Sequence, residues 1–402
     1  MTAKTAFVLN MVLSPITREL TGLEKEQRAT IASNLHSSPT TELLQTYLEK
    51  LKTGLSCSNW NVDTFSEGAR VIAKICGADK AKYYDKSLEG LHYPTTFIEL
   101  WNEANPKYPV TVWDQDFRRQ CPAGWEHRQE GACWVVRYLG AKPLSQGLND
   151  FLRGPTTIDC GMFCQFILWM AIRYLVGDDL FDASFKFEAG DFVLTQSWIE
   201  SPDSKDLTGN PLYWFYDAPH PRDTLQGVTT HQRIGTRTFF NHPAYLVKHL
   251  GGMDLLHNVT QIDGYNHIFH PASKNVLSDA ELDQMLLEAY NEPQDLADLE
   301  KIYTYEKILD GYAHPDFHGV TCSELARHAR ASVQQQISQG EWSNGQSERQ
   351  ARATGMHLIF NFERLNRCLH TALSRHELRL DTGDLLLLAK MDSLKWKNRE
   401  SA

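Results

Sequence analysis

The chain is short of several things that would settle a class at once. Eight cysteines in 402 residues are too few for a disulfide scaffold, and no Cys-x-x-Cys pair offers a structural zinc site. Fifty acidic against forty basic side chains give a net charge of −10. That balance excludes a generic electrostatic nucleic-acid binder, which carries a basic surplus. The sequence has no phosphate-cradling glycine loop. It has no uninterrupted run of about 18 apolar residues, so no membrane span is expected. The opening apolar stretch, AFVLNMVL, is short and has no small-residue cleavage site after it, so no secretory signal is expected either. These absences point to a reducing compartment with free thiols and to the cytoplasm by default. Signal-independent export as an effector is compatible with them.

What is present is a 42% hydrophobic, 11% aromatic chain, enough for a sizeable core and too rich for disorder. Three zones differ in texture. Residues 1–106 read as helical: LEKEQRATIASNL, TTELLQTYLEKLKTG closed by Gly54, and TFSEGARVIAKIC closed by Gly77. Residues 107–290 mix short β-rich runs (ACWVVRYL, GDFVLTQSW, TRTFF, HNVTQI) with one apolar helix, CGMFCQFILWMAIRYLVG. A capping box, Ser278 with Glu281, opens a helix near the end of this zone. Residues 291–402 read as helical again, including DLADLEKIYTYEKIL, SELARHARASVQQQI and SERQARATGMHLIFNFERLNRCLHTAL. The division is a helical N-terminal region, a mixed α+β centre and a helical C-terminal region.

Chemistry concentrates where Gly154-Pro155-Thr156-Thr157-Ile158-Asp159-Cys160 runs into the apolar helix. A cysteine in the first helical turn meets unpaired N–H groups and the positive end of the helix dipole, and both favour the thiolate. The same N–H groups suit an oxyanion. A buried, inert cysteine is the competing reading, and Cys164, one turn on, reads as packing. A cysteine nucleophile needs a base. The segment His257-Asn258-Val259-Thr260-Gln261-Ile262-Asp263-Gly264-Tyr265-Asn266-His267-Ile268-Phe269-His270 reads as strand, Asp-Gly turn, strand, bringing His257 near His267 or His270. The pair His314 and His318 straddles Pro315, which breaks the helix a zinc pair would use. Asn258-Val259-Thr260 fits a glycosylation acceptor only formally.

Residues 125–290 resemble the bacterial spore-coat type of protein-glutamine γ-glutamyltransferase, a transglutaminase with a papain-like fold close to the NlpC/P60 cysteine peptidases. Three ordered blocks carry the resemblance. Trp125 and Glu130-Gly131-Ala132 precede a strand, followed by KPLSQGLNDFL and Gly154-Pro155. The helix block, GPTTIDCGMFCQFILWMAIRYLVGDDLFDASF, follows. TFFNHPAYL, HNVTQIDGYNHIFHP and LSDAELDQML close the match. The resemblance implies Cys160 as nucleophile and Asp159 as the adjacent acid. It puts His257 where the family has a catalytic glutamate, which restores the Cys–His pairing of the NlpC/P60 relatives, and His270 rather than His267 as third member. The expected fold is therefore α+β with a papain-like core. The expected function is acyl transfer from glutamine amides of a protein substrate through a thioester at Cys160, without cofactor or metal. A Cys–His hydrolase (protease, deamidase or amidase) is the first alternative, and a non-enzymatic binding module the second. Residues 186–234 are extra to the family pattern, and their aromatics are expected to line the cleft or pack the core.

Overall fold

The computed structural model describes residues 40–78, 121–130, 133–140, 142–154, 156, 158, 160–195, 211–216, 220–224, 234–249, 254–268, 276–308, 320–339 and 354–374. Two helices come first, α1 (Thr40–Thr53) and α2 (Val62–Ala78). Leu44, Tyr47, Leu48 and Leu51 of α1 are buried, an i, i+3, i+4, i+7 stripe that faces the core. On α2 the buried apolar residues are Phe65, Ala69, Ile72, Ala73, Ile75 and Cys76. Asn61 caps α2, its Oδ1 accepting the N–H groups of Asp63 and Thr64 at 3.0 Å each, as an N-cap side chain should. The stretch LEKEQRATIASNL lies outside the described residues.

Next come β1 (Trp125–Glu130), β2 (Cys133–Tyr138), α3 (Leu144–Arg153), α4 (Cys160–Ser184, broken at Gly177) and β3 (Val193–Thr195). The three strands form an antiparallel sheet in sequence order. Beyond them are β4 (His220–Thr224), β5 (Ile234–Phe240), the one-turn α5 (Tyr245–Lys248), β6 (Leu256–Ile262), β7 (Tyr265–His267) and β8 (Val276–Leu277). The remaining elements are α6 (Asp279–Tyr290), α7 (Leu296–Ile308), α8 (Cys322–Gln339), β9 (Thr354–Ile359) and α9 (Phe362–Ser374). A six-stranded sheet has the order β4-β9-β5-β6-β7-β8, every pairing antiparallel. The molecule is thus α+β, with helices packed on antiparallel sheets.

The axis is α4. Residues 160–177 are buried without exception. The helix is long and apolar enough to cross a bilayer, but its apolar window lies wholly inside the fold, against α1, α2, α3, β3 and β6. One large cluster joins α1, α2, α3, α4 and α9 with one face of the six-stranded sheet, through Ile234 and Ile262. A smaller cluster of Phe239, Val259, Ile268, Leu277, Leu282 and Leu286 packs α6 on the other face. Leu212, Phe215 and Tyr216 of the extra stretch are buried in the large cluster, so these aromatics pack rather than line a cleft.

One feature differs from the sequence reading. Residues 354–359, expected as helix, form β9 between β4 and β5. Asn361, not the residues before β9, starts the helix, its Oδ1 accepting the Arg364 N–H at 2.9 Å. The Thr-Gly opening of β9 disfavours helix, and Ile359-Phe360 favours strand. α1 and α2 from the first zone and α9 from the last share the core of α4. The seam at α4 is tight. Gly54 and Gly177 have φ of 63° and 76°, and a Cβ on Gly54 would sit 2.3 Å from the Gly177 nitrogen. The Leu175 carbonyl, freed by the break, accepts from Leu55 N at 2.7 Å and Trp60 Nε1 at 3.0 Å.

Candidate active site

Cys160 is the first residue of α4 and is 9% exposed. The helix is held there by Gln165, one turn on. Its Nε2 donates to the Thr195 carbonyl at 2.8 Å and its Oε1 accepts the Thr195 N–H at 3.1 Å, fixing α4 to the end of β3. Cys164 is fully buried in the core, as expected of a packing residue. Among the described residues, none of the seven cysteines with described side chains forms a disulfide.

The side chain that meets Cys160 comes from β6. Asn258 Nδ2 donates to Cys160 Sγ at 3.5 Å. Asn258 Oδ1 accepts from Thr238 Oγ1, its cross-strand partner on β5, at 2.6 Å. Asn258 and Thr238 are 7% and 4% exposed. The amide of Asn258 is thus buried and hydrogen-bonded at both ends, a poor setting for the glycan that Asn-Val-Thr formally allows.

Strand alternation then decides the place of His257. Successive side chains point to opposite faces, so Asn258 toward α4 puts His257 on the α6 face. There it lies opposite Phe239 and next in line to Val259. His257 Nε2 is 2.9 Å from Asp254 Oδ1, and Asp254 N donates to Tyr245 Oη at 3.1 Å. The expected Cys160–His257 pair is corrected accordingly: the neighbour in sequence, Asn258, takes the position against the sulfur. The hairpin itself is as expected. Asp263 and Gly264 have φ of 50° and 84°, the turn that Asp-Gly forms. Across it His267 pairs with Thr260, on the face of Asn258 and opposite to that of His257. Asp159, His270, His314 and His318 lie outside the described residues.

His267 is buried, and desolvation, reinforced by the Arg70 guanidinium and opposed by Asp263, pulls its pKa down to about 4. Its ring makes no hydrogen bond among the described residues. Arg70 of α2 is ion-paired with Asp263 in the hairpin turn, tying the N-terminal region to this side of the sheet. Burial pushes other thiols up: Cys76 well above the thiol range, Cys322 to about 11. Among the described residues no cluster of histidine, cysteine and carboxylates has the makings of a metal site. No protein-family model, curated protein or solved structure matches the chain.

The arrangement offers a thiol at a helix N-terminus with a neutral amide donor on its sulfur. Sequence reasoning missed Asn258 and Thr238. The period-two pattern of β6 required one of His257 and Asn258 to face α4, but said nothing of which.

Proposed function

We propose that the protein is a cysteine-dependent acyltransferase acting on glutamine side-chain amides, with Cys160 as nucleophile in a papain-like arrangement of helix on sheet. The observation that carries this reading is the Asn258 Nδ2 contact to Cys160 Sγ at the start of α4. Helix N-terminus and amide together favour the thiolate, and the same donors suit a developing oxyanion. The transglutaminase-like sequence blocks on either side of Cys160 supply the substrate class.

As base we take His267, because its cross-strand pairing with Thr260 puts it on the face of the sheet that Asn258 occupies. Burial keeps its imidazole neutral, and the same lowered pKa makes it a weak base, so the thiol proton moves to it only in concert with attack on the carboxamide. The Cys160 thiol proton passes to it, and the sulfur attacks the carboxamide carbon. The tetrahedral oxyanion collapses, and ammonia leaves with the proton returned by the imidazolium. The thioester then passes its acyl group to a primary amine, or to water with net deamidation.

The test is amine incorporation and ammonia release with a glutamine-bearing protein substrate. Wild type releases ammonia, Cys160→Ala releases none, and His267→Ala falls by about 10²-fold or more, the usual contribution of a general base. A Cys160→Ala variant as active as wild type ends the proposal.

A further inference from the structure

We propose that Thr238 is a positioning residue that holds Asn258 as a fixed hydrogen-bond donor to the Cys160 sulfur. The oxyanion part of this inference rests on the acyl-transfer reading above; the effect on the sulfur does not. Asparagine carries a donor and an acceptor that exchange places on rotation of the amide. Only one orientation helps a thiolate. With Oδ1 toward the sulfur, the amide would repel the charge. The Thr238 hydroxyl donates to Oδ1 at 2.6 Å, which leaves Nδ2 for the sulfur 3.5 Å away.

The pair is set by the β5–β6 register, in which Thr238 lies directly opposite Asn258, and both are buried. A buried amide oxygen without its partner is costly, so the amide does not rotate freely. A donor already polarised at its carbonyl end also donates more strongly at the other.

The next pair on the same face is a built-in contrast. Thr236 lies opposite Thr260 and is bonded to Tyr216 Oη at 3.1 Å. Thr260 Oγ1 is fully buried with no hydrogen-bond partner among the described residues. So a hydroxyl on this face is not in itself engaged. Thr238 is engaged because it has the amide of Asn258 to hold.

When a carboxamide carbon occupies the sulfur, the same Nδ2 donor is left to serve the oxyanion beside it. Asn258 touches the reacting atom and is the catalytic residue of the pair. Thr238 acts only through it.

The experiment follows the pH profile of Cys160 alkylation by iodoacetamide, read by peptide mapping, with exposed Cys57 labelled in the same sample as reference. Thr238→Val keeps the side-chain shape and removes the hydroxyl; Thr238→Ser restores it. The Cys160 rate at pH 7 is expected to fall about tenfold in Thr238→Val, one hydrogen bond's worth, with the profile shifted to higher pH. Asn258→Ala falls as far, Thr238→Ser stays within about twofold, and Thr238→Val/Asn258→Ala falls no further than Asn258→Ala alone. Thr260→Val, which removes the unpaired hydroxyl, leaves the profile unchanged. Thermal unfolding of each variant confirms folding, and Thr238→Ala takes the place of Thr238→Val should the latter not fold. A Thr238→Val profile identical to wild type overturns the proposal, as does a double variant well below Asn258→Ala. Absence of amine incorporation by wild type would instead end the acyl-transfer reading and leave the labelling result to decide on Thr238.

Discussion

His257 and Asn258 are adjacent, and one peptide unit separates opposite sides of a sheet. The chemistry of a cysteine nucleophile favours the histidine, and the resemblance to a transglutaminase aligns it with a catalytic residue. The β6 register gives Asn258 the contact with Cys160 instead. Such a one-residue offset is invisible in composition or motif, because it depends on which face of β6 meets α4, a long-range fact. Cys160 itself was legible, since a polar, proline-containing lead into a long apolar helix marks an N-terminus. His257→Ala should leave Cys160 alkylation and amine incorporation within about twofold. It should nevertheless lower the unfolding free energy by about 1–3 kcal/mol, because Asp254 loses a hydrogen-bonded partner in a largely buried setting. Paired labelling and urea titration would show this. A large loss of labelling in a variant that stays folded would return His257 to the mechanism.

At the scale of elements, local signals were enough wherever an element announces its own ends. The capping box is one: Ser278 Oγ accepts the Glu281 N–H at 3.2 Å, and Glu281 Oε2 accepts the Ser278 N–H at 2.8 Å. Ser278→Ala should cost about 1 kcal/mol, read as a lower denaturation midpoint at unchanged slope. The break at Gly177 falls where the apolar run ends in the sequence. Asp178 and Asp179 follow it directly, but its packing role shows only when Gly54 arrives against it from more than a hundred residues earlier. A methyl on Gly54 would collide with backbone, which cannot swing aside, and φ there is positive. Gly54→Ala should therefore destabilise by more than the roughly 1 kcal/mol typical of an unfavourable φ alone. Thermal unfolding checks it; an unchanged midpoint would mean that the seam relaxes at no cost. β9 was misread for a related reason. A six-residue stretch between polar segments carries little period of its own, and its neighbours in the sheet are far away in the chain.

For the molecule as a whole, two buried histidines set an acid limit. His249 Nε2 is 2.8 Å from the Tyr290 carbonyl, and its Nδ1 is 2.8 Å from Gln294 Nε2. Those partners fit the neutral ring, with Nε2 donating and Nδ1 accepting. Burial chiefly, with Lys248 adding to it and the Tyr290 carbonyl, Asp298 and Asp254 opposing it, brings its pKa down to about 4. His267 is lowered to a similar value. The unfolded chain binds these protons near the ordinary histidine pKa of about 6.5. The folded chain resists them down to about 4. Stability from these groups is therefore complete above pH 6.5 and is lost as pH falls from there toward 4, on the order of 2–3 kcal/mol per histidine. Urea midpoints measured from pH 7.5 to 4.5 should fall with that profile, and His249→Gln should flatten it. A midpoint constant over the range would contradict the burial of both rings.

The order of strands also governs when the fold can exist. Among the described residues, β4 is joined to the sheet through β9 alone, and β5 borders β9 on the other side. During synthesis, residues 220–224 and 234–240 emerge more than a hundred residues ahead of the strand that must lie between them. Until residue 359 has left the ribosome, β5 presents a row of unpaired backbone groups, the template on which chains aggregate. The strand that carries Thr238 is that same β5. A nascent or truncated chain lacking β9 thus leaves open the edge of the strand that supports its own candidate nucleophile. The late arrival of six residues acts as a timer on the whole centre, keeping it incomplete while the protein is still being made.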